Sequence, residues 1–257
     1  MNLFYRTLGV GKPLIILHGL FGSSDNWMAL ARSFADRYEV LIPDLRNHGR
    51  SPHSEHWEYE AMVGDIHQLV SSLKLKKVTL VGHSMGGKVA MVYADRYRDA
   101  VEKLLVVDIA PRQYAIRHRA IVDALMRIEL KSTKSRKEVE KQLLTSVPEW
   151  RVRQFLLKNL DRDSQQNFRW KINLPVISRH LDNVGLPTYP QQSVDVPTLF
   201  IRGIKSDYVT DDDIMKIRSC FSDVAVETIG NAGHWVHAEQ PEAFLNTVNQ
   251  FLGNDNN

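Results

Sequence analysis

A set of short, almost unbroken apolar runs constrains this chain more than any other feature. They are Leu14-Ile15-Ile16-Leu17, Val40-Leu41-Ile42, Val78-Thr79-Leu80-Val81, Leu104-Leu105-Val106-Val107 and Thr198-Leu199-Phe200-Ile201. A strand with one wet face alternates apolar and polar residues; these runs do not alternate, so both of their faces must be covered. Helical patterns lie between them. From Tyr59 to Leu73 the residues Met62, Ile66, Leu69, Val70 and Leu73 recur at three- and four-residue spacing, and 86–97 and 241–252 read the same way. Strand alternating with helix predicts a largely parallel sheet with helices on its faces. Asn2 to Leu8 and Val224 to Ile229 are weaker strand candidates. Pro241 suits the first turn of the last helix, and Gly253 to Asn257 reads as a frayed end.

The βα rhythm stops after Pro111 and resumes near Val196. Between Arg112 and Lys171, 15 Lys and Arg stand against 7 Asp and Glu, a local charge of +8, while the remainder sits at −5. This compositional break predicts a helical cap over residues 112–190, inserted into a core made of 1–111 and 191–257. Its helix-like stretches are 115–130, 135–144 and 150–160, and it closes on Leu186-Pro187-Thr188-Tyr189-Pro190. A few ordinary crossover helices are the alternative. The whole chain, 257 residues with a net charge of +3, is too weakly basic to argue for nucleic acid. A single cysteine, Cys220, rules out an intrachain disulfide and so a disulfide-stapled secreted scaffold. The N-terminal residues lack a basic region followed by an apolar stretch, and no apolar run approaches the ~20 residues that span a bilayer. The expectation is a soluble, cytoplasmic enzyme with a small-molecule substrate.

The chemistry is concentrated in Val78 to Gly87, where a strand meets Gly82-His83-Ser84-Met85-Gly86 and a helix follows at once. A sharp strand-to-helix turn crowds the backbone, so small residues must flank the serine whose hydroxyl it raises. The helix N-terminus beneath favours developing negative charge. Ser84 is therefore the candidate nucleophile. Upstream, Leu14 to Leu17 opens into His18-Gly19-Leu20-Phe21-Gly22. Acyl transfer needs two amide donors converging on the oxyanion, and the N–H groups of Met85 and Leu20 are the candidates. Near the end, Gly233-His234-Trp235-Val236-His237 follows the last strand candidate. His234 is the candidate general base, with His237 as competitor, while His53, His56 and His67 read as surface residues. No His-Glu-x-x-His or similar ligand cluster is present, so neither a catalytic metal nor another cofactor is expected.

Together, His18-Gly19, Asp44-x-Arg46-x-x-Gly49-x-Ser51, Gly82-His83-Ser84-Met85-Gly86-Gly87 and Gly233-His234 resemble the α/β-hydrolase superfamily, in an order that covers nearly the whole chain. More narrowly, His18 to Ser23, Arg46-Asn47-His48-Gly49, Asp108-Ile109-Ala110-Pro111 and Gly233 to Ala238 are similar to the bacterial YbfF-type esterases. The resemblance implies an α/β-hydrolase fold: a mostly parallel, eight-stranded sheet flanked by helices, with a helical cap. It also implies action on acyl esters, with acyl-CoA thioesters as further candidates. In most relatives the triad acid follows the penultimate strand as Gly-x-x-Asp. Here that stretch reads Gly203-Ile204-Lys205-Ser206-Asp207, so Ser206 holds the expected place and Asp207 is displaced by one residue. Asp108, at the end of the preceding strand, is the preferred acid and Asp207 the alternative.

The implied reaction is nucleophilic. His234, oriented by a carboxylate, takes the Ser84 proton as the hydroxyl attacks a carbonyl carbon, and an acyl-enzyme is then hydrolysed by water. Phe21, Trp235 and Met85 are candidates to line an apolar approach, with ordinary core packing as the alternative. The basic cap is expected either to attract an anionic substrate or to be a solvated surface. A carbon–carbon bond hydrolase or perhydrolase would use the same triad, and a non-catalytic ligand-binding protein could keep it. Ser84 argues against dehalogenases and epoxide hydrolases, which normally need an aspartate nucleophile.

Overall fold

The computed structural model describes residues 1–253; of the frayed end expected over Gly253 to Asn257, Gly253 instead closes the last helix and the rest lies outside the described residues. The chain opens with β1 (Tyr5–Leu8), β2 (Lys12–Leu17), α1 (Met28–Arg32), β3 (Tyr38–Pro43), α2 (Tyr59–Ser72), β4 (Val78–His83), α3 (Met85–Arg96) and β5 (Val101–Val107). After a long excursion it returns through β8 (Thr198–Gly203), α8 (Asp211–Cys220), β9 (Val224–Ile229), α9 (Val236–Glu239) and α10 (Pro241–Gly253). The sheet order is β1-β3-β2-β4-β5-β8-β9, with β1 antiparallel to β3 and the other neighbours parallel. Among the described residues this sheet has seven strands, which corrects the expected eight. The residues before Tyr5 add no further strand, and Phe4 only carries the β1–β3 register one step on, opposite Asp44. There the Phe4 carbonyl accepts from the Asp44 N–H at 2.9 Å, and the Phe4 N–H donates to Ser51 Oγ at 2.9 Å.

The unbroken apolar runs have a simple cause. Alternate side chains leave a strand on opposite faces, and here each face has its own core. Ile15 and Leu17 pack with Met62 and Ile66 of α2 and Val89 of α3, while Leu14 and Ile16 pack with Leu30 of α1 and with Phe244 and Val248 of α10. Helices therefore cover both sides. Because the strands from β2 onward run parallel, their C-terminal ends emerge along one edge, where parallel α/β sheets bind ligands. Residues 18–22, 84, 108, 204–208 and 230–235 all emerge there.

Between β5 and β8 the chain forms α4 (Arg119–Met126), α5 (Arg136–Leu143), α6 (Trp150–Leu157), a hairpin of β6 (Leu160–Arg162) and β7 (Phe168–Trp170), and α7 (Leu174–Arg179). The hairpin is absent from the sequence expectation. Asp163 makes its turn by accepting from the Gln165 and Asn167 N–H groups at 2.8 and 2.9 Å, an Asx geometry that competes with helix. Val122, Leu125, Val139, Leu143, Leu156 and Leu157 join the core on the α2–α3 side of the sheet. Both ends of this segment are held by one buried side chain: Lys88 of α3 donates to the carbonyls of Arg112, at 3.0 Å, and of Leu186. Burial, and then the charge of Arg112, bring its pKa down to about 7. No helix among the described residues is long and apolar enough to cross a membrane.

Candidate active site

Ser84 stands alone between β4 and α3 with φ 53° and ψ −119°, a left-handed conformation that costs a non-glycine residue about 1–3 kcal/mol. The flanking glycines make the turn feasible. A Cβ on Gly82 would lie 2.3 Å from the Gly86 carbonyl oxygen, and one on Gly86 would lie 2.3 Å from that of Leu17. The turn is pinned by the Ser84 N–H donating to the Val107 carbonyl at 3.0 Å. The hydroxyl opens on a cavity of about 270 Å³.

Ser84 Oγ lies 3.0 Å from His234 Nε2, and His234 Nδ1 lies 2.7 Å from Asp108 Oδ2. The loop after β9 presents the imidazole, and Glu239 braces that loop by accepting from the Gly233 and Trp235 N–H groups at 2.9 and 3.3 Å. Tyr208 stacks on the ring with centroids 3.9 Å apart and planes at 20°. His83 Nε2 donates to the His234 carbonyl at 2.9 Å. Burial, together with the neighbouring His234 and His237, keeps His83 neutral, well below the usual imidazole range.

Asp108, fully buried with φ 51°, accepts from His234 Nδ1, from the Gly203 N–H at 3.0 Å and from the Ser206 hydroxyl. Asp207 goes elsewhere. Its carboxylate is 63% exposed and takes two hydrogen bonds from Arg117, at 2.7 and 2.6 Å, which hold it below the usual carboxylate range. Ser206, at the place where most relatives carry the acid, thus supplies a hydroxyl to Asp108 instead. Sequence reading missed that contact, which depends on two strand ends meeting.

The loop after β2 is held by two buried, neutral histidines. His18 Nδ1 donates to the Gly19 carbonyl at 2.9 Å and its Nε2 accepts from the Leu45 N–H at 2.9 Å. His48 Nδ1 donates to the Arg46 carbonyl at 2.9 Å and its Nε2 accepts from the Phe21 N–H at 3.3 Å. Accepting at Nε2 requires an unprotonated ring, and burial, with His18 as a further cause, lowers His48 to about 3. Phe21 has φ 61°, and its carbonyl accepts from Asn159 Nδ2 at 2.8 Å. The amides of Leu20 and Met85 have no acceptor within the described residues.

Leu20, Phe21, Ile121, Val152, Phe155, Leu156 and Trp235 give the cavity its apolar wall. Met85 does not join them: its side chain packs beside Trp57, Tyr59 and Met62, so it is core there. Among the other histidines, His53 and His56 are exposed, but His67 is half-buried against Tyr97, with ring centroids 4.0 Å apart. His237 is also buried, stacked on Trp27 at 4.0 Å. It borders the cavity without a hydrogen bond to Ser84. His118 borders it too, and sequence reading had not singled it out. No group of three His, Cys, Asp or Glu side chains among the described residues could hold a metal ion.

A parallel sheet that raises a serine at a strand-to-helix turn, within reach of a histidine and a buried carboxylate, defines a class. Residues 12–241 match the family model of the alpha/beta hydrolase fold, and the chain belongs to that family. It is 40% identical to the sn-1-specific diacylglycerol lipase ABHD11 of Danio rerio, over 98% of this chain and 83% of that protein. It is 34% identical to esterase YbfF of Escherichia coli, over 94% of this chain and 93% of that protein. A solved structure described as a marine microorganism esterase superposes with a TM-score of 0.95 at 43% identity, covering 97% of this chain and 99% of that one.

Proposed function

We propose that this chain is a serine carboxylic ester hydrolase working through an acyl-enzyme, with Ser84 as nucleophile, His234 as general base and acid, and Asp108 as the orienting carboxylate. The observation that carries this reading is the continuous contact from Ser84 Oγ to His234 Nε2, at 3.0 Å, and from His234 Nδ1 to Asp108, at 2.7 Å. Asp108 holds the proton on Nδ1, which leaves the Nε2 lone pair facing the hydroxyl. As Ser84 Oγ attacks the carbonyl carbon, His234 takes its proton, and the oxyanion is received by the Leu20 and Met85 amides. One such donor is worth roughly 2.7–4 kcal/mol in a well-studied protease. His234 then protonates the departing alcohol, and water repeats the steps to free the acid.

The apolar wall, with Phe21 and Trp235 in it, is the proposed seat of the acyl chain. Residues 112–190 act as a lid over a core of 1–111 and 191–257. The names carried by the relatives, esterase and diacylglycerol lipase, support oxygen esters as substrates; a thioester would pass through the same steps. Fluorophosphonate labelling of the wild type and Ser84→Ala, followed by a panel of acyl esters of graded chain length, tests the reading. The proposal expects labelling and turnover in the wild type and neither in Ser84→Ala. Ester turnover that survives Ser84→Ala would overturn it.

A further inference from the structure

The cavity also carries polar groups, Asn26, Arg117, His118, Glu149, Tyr208 and His237, and of these His118 is near enough to His234 for the two imidazoles to influence each other's charge. That nearness has a chemical meaning. His234 delivers a proton to the leaving oxygen, so the alcohol part of an ester must lie beside the imidazole, and the acyl chain against the apolar wall. Of these groups Arg117 is engaged, with both of its short contacts going to Asp207. His118 is different. It precedes α4, its ring meets Phe21 edge-on with centroids 6.2 Å apart, and its ring nitrogens have no hydrogen-bond partner among the described residues. Burial, then His234 and Arg117, lower it to about 4, so at neutral pH it is an uncharged ring with one donor and one acceptor.

Resting on the esterase reading, we propose that His118 is a hydrogen-bonding subsite for a hydroxyl on the alcohol part of the substrate, selecting polyol esters over plain alkyl esters. A neutral imidazole suits this task. It can donate to or accept from a hydroxyl, and it does not repel the imidazolium that forms at His234 during attack.

The test compares glycerol monobutyrate with propyl butyrate, which share an acyl group and a three-carbon alcohol and differ in hydroxyls. In His118→Leu, kcat/KM for the glycerol ester should fall about five- to tenfold, the worth of one hydrogen bond, while the propyl ester changes less than about twofold. His118→Asn, which keeps a donor and an acceptor, should retain most of the preference. Constant propyl ester turnover also reports that the variant is folded. Equal losses on both esters, or no change on either, would overturn the inference and leave the esterase reading standing. A wild-type enzyme that cleaves neither ester would overturn both.

Discussion

Asp108→Asn should cripple the enzyme through a tautomer, and the contacts show why. The Gly203 N–H donates to Asp108 Oδ1 and cannot change its role, so an asparagine at 108 must place its carbonyl oxygen there. Its amino group then occupies the Oδ2 position, facing the Ser206 hydroxyl, which can accept, and His234 Nδ1. To avoid opposing donors, His234 must move its proton to Nε2, where it can no longer take the Ser84 proton. The same exchange in a serine protease lowers kcat about 10⁴-fold with geometry intact, equivalent to roughly 5.4 kcal/mol of barrier. Asp207→Asn breaks only an exposed ion pair with Arg117, worth about 0–1 kcal/mol, so activity should stay within about fivefold. Steady-state hydrolysis of a p-nitrophenyl ester, with thermal melts to verify folding, separates the two. Near-full turnover in Asp108→Asn together with its collapse in Asp207→Asn would refute the reasoning.

Three further outcomes follow from the contacts. Ser84→Gly should abolish ester turnover yet raise stability by about 1 kcal/mol in urea melts, because glycine accepts φ 53° without strain; lower stability would contradict the strained turn. Lys88→Met should orphan the Arg112 and Leu186 carbonyls, costing roughly 2–4 kcal/mol and speeding hydrogen exchange at both ends of the 112–186 segment; unchanged exchange there would contradict the clasp. Burial holds His18, His48, His83 and His237 below their ordinary 6.5, so on acidification the unfolded chain binds the protons. Stability is therefore full above about pH 6.5 and falls below it, by about 1 kcal/mol between pH 7 and 5.5 for each of His48 and His237, which burial brings to about 3; urea midpoints that hold constant or rise over that interval would contradict neutral burial.

Much of the fold could be read because its signal is local. Unbroken apolar runs state that both faces of a strand are covered, and Gly82-His83-Ser84-Met85-Gly86 carries its turn in its own sterics. Ser84, Asp108 and His234 could each be placed at the end of a strand, and parallel strands release their loops along one edge, though the choice of Asp108 over Asp207 stayed open. What escaped depends on partners distant in sequence. His48 holding the Phe21 amide, Asn159 holding its carbonyl and Ser206 turning to Asp108 are contacts across 27, 138 and 98 residues. The hairpin near Asp163 was lost because a basic, helix-like composition hid one Asx turn. The local charge of +8 overstated the field of that segment, since Arg112, Arg117, Arg119 and Lys171 each meet a carboxylate from outside it, on Asp213, Asp207, Asp182 and Asp25.

The most direct measurement is to stop the reaction with a short-chain p-nitrophenyl ester in acid within one turnover, then weigh the protein and map the adduct. A covalent intermediate predicts that the trapped acyl group is carried on Ser84 and is missing from Ser84→Ala. Acyl mass on a different residue, or undiminished acyl mass in Ser84→Ala, would contradict the account.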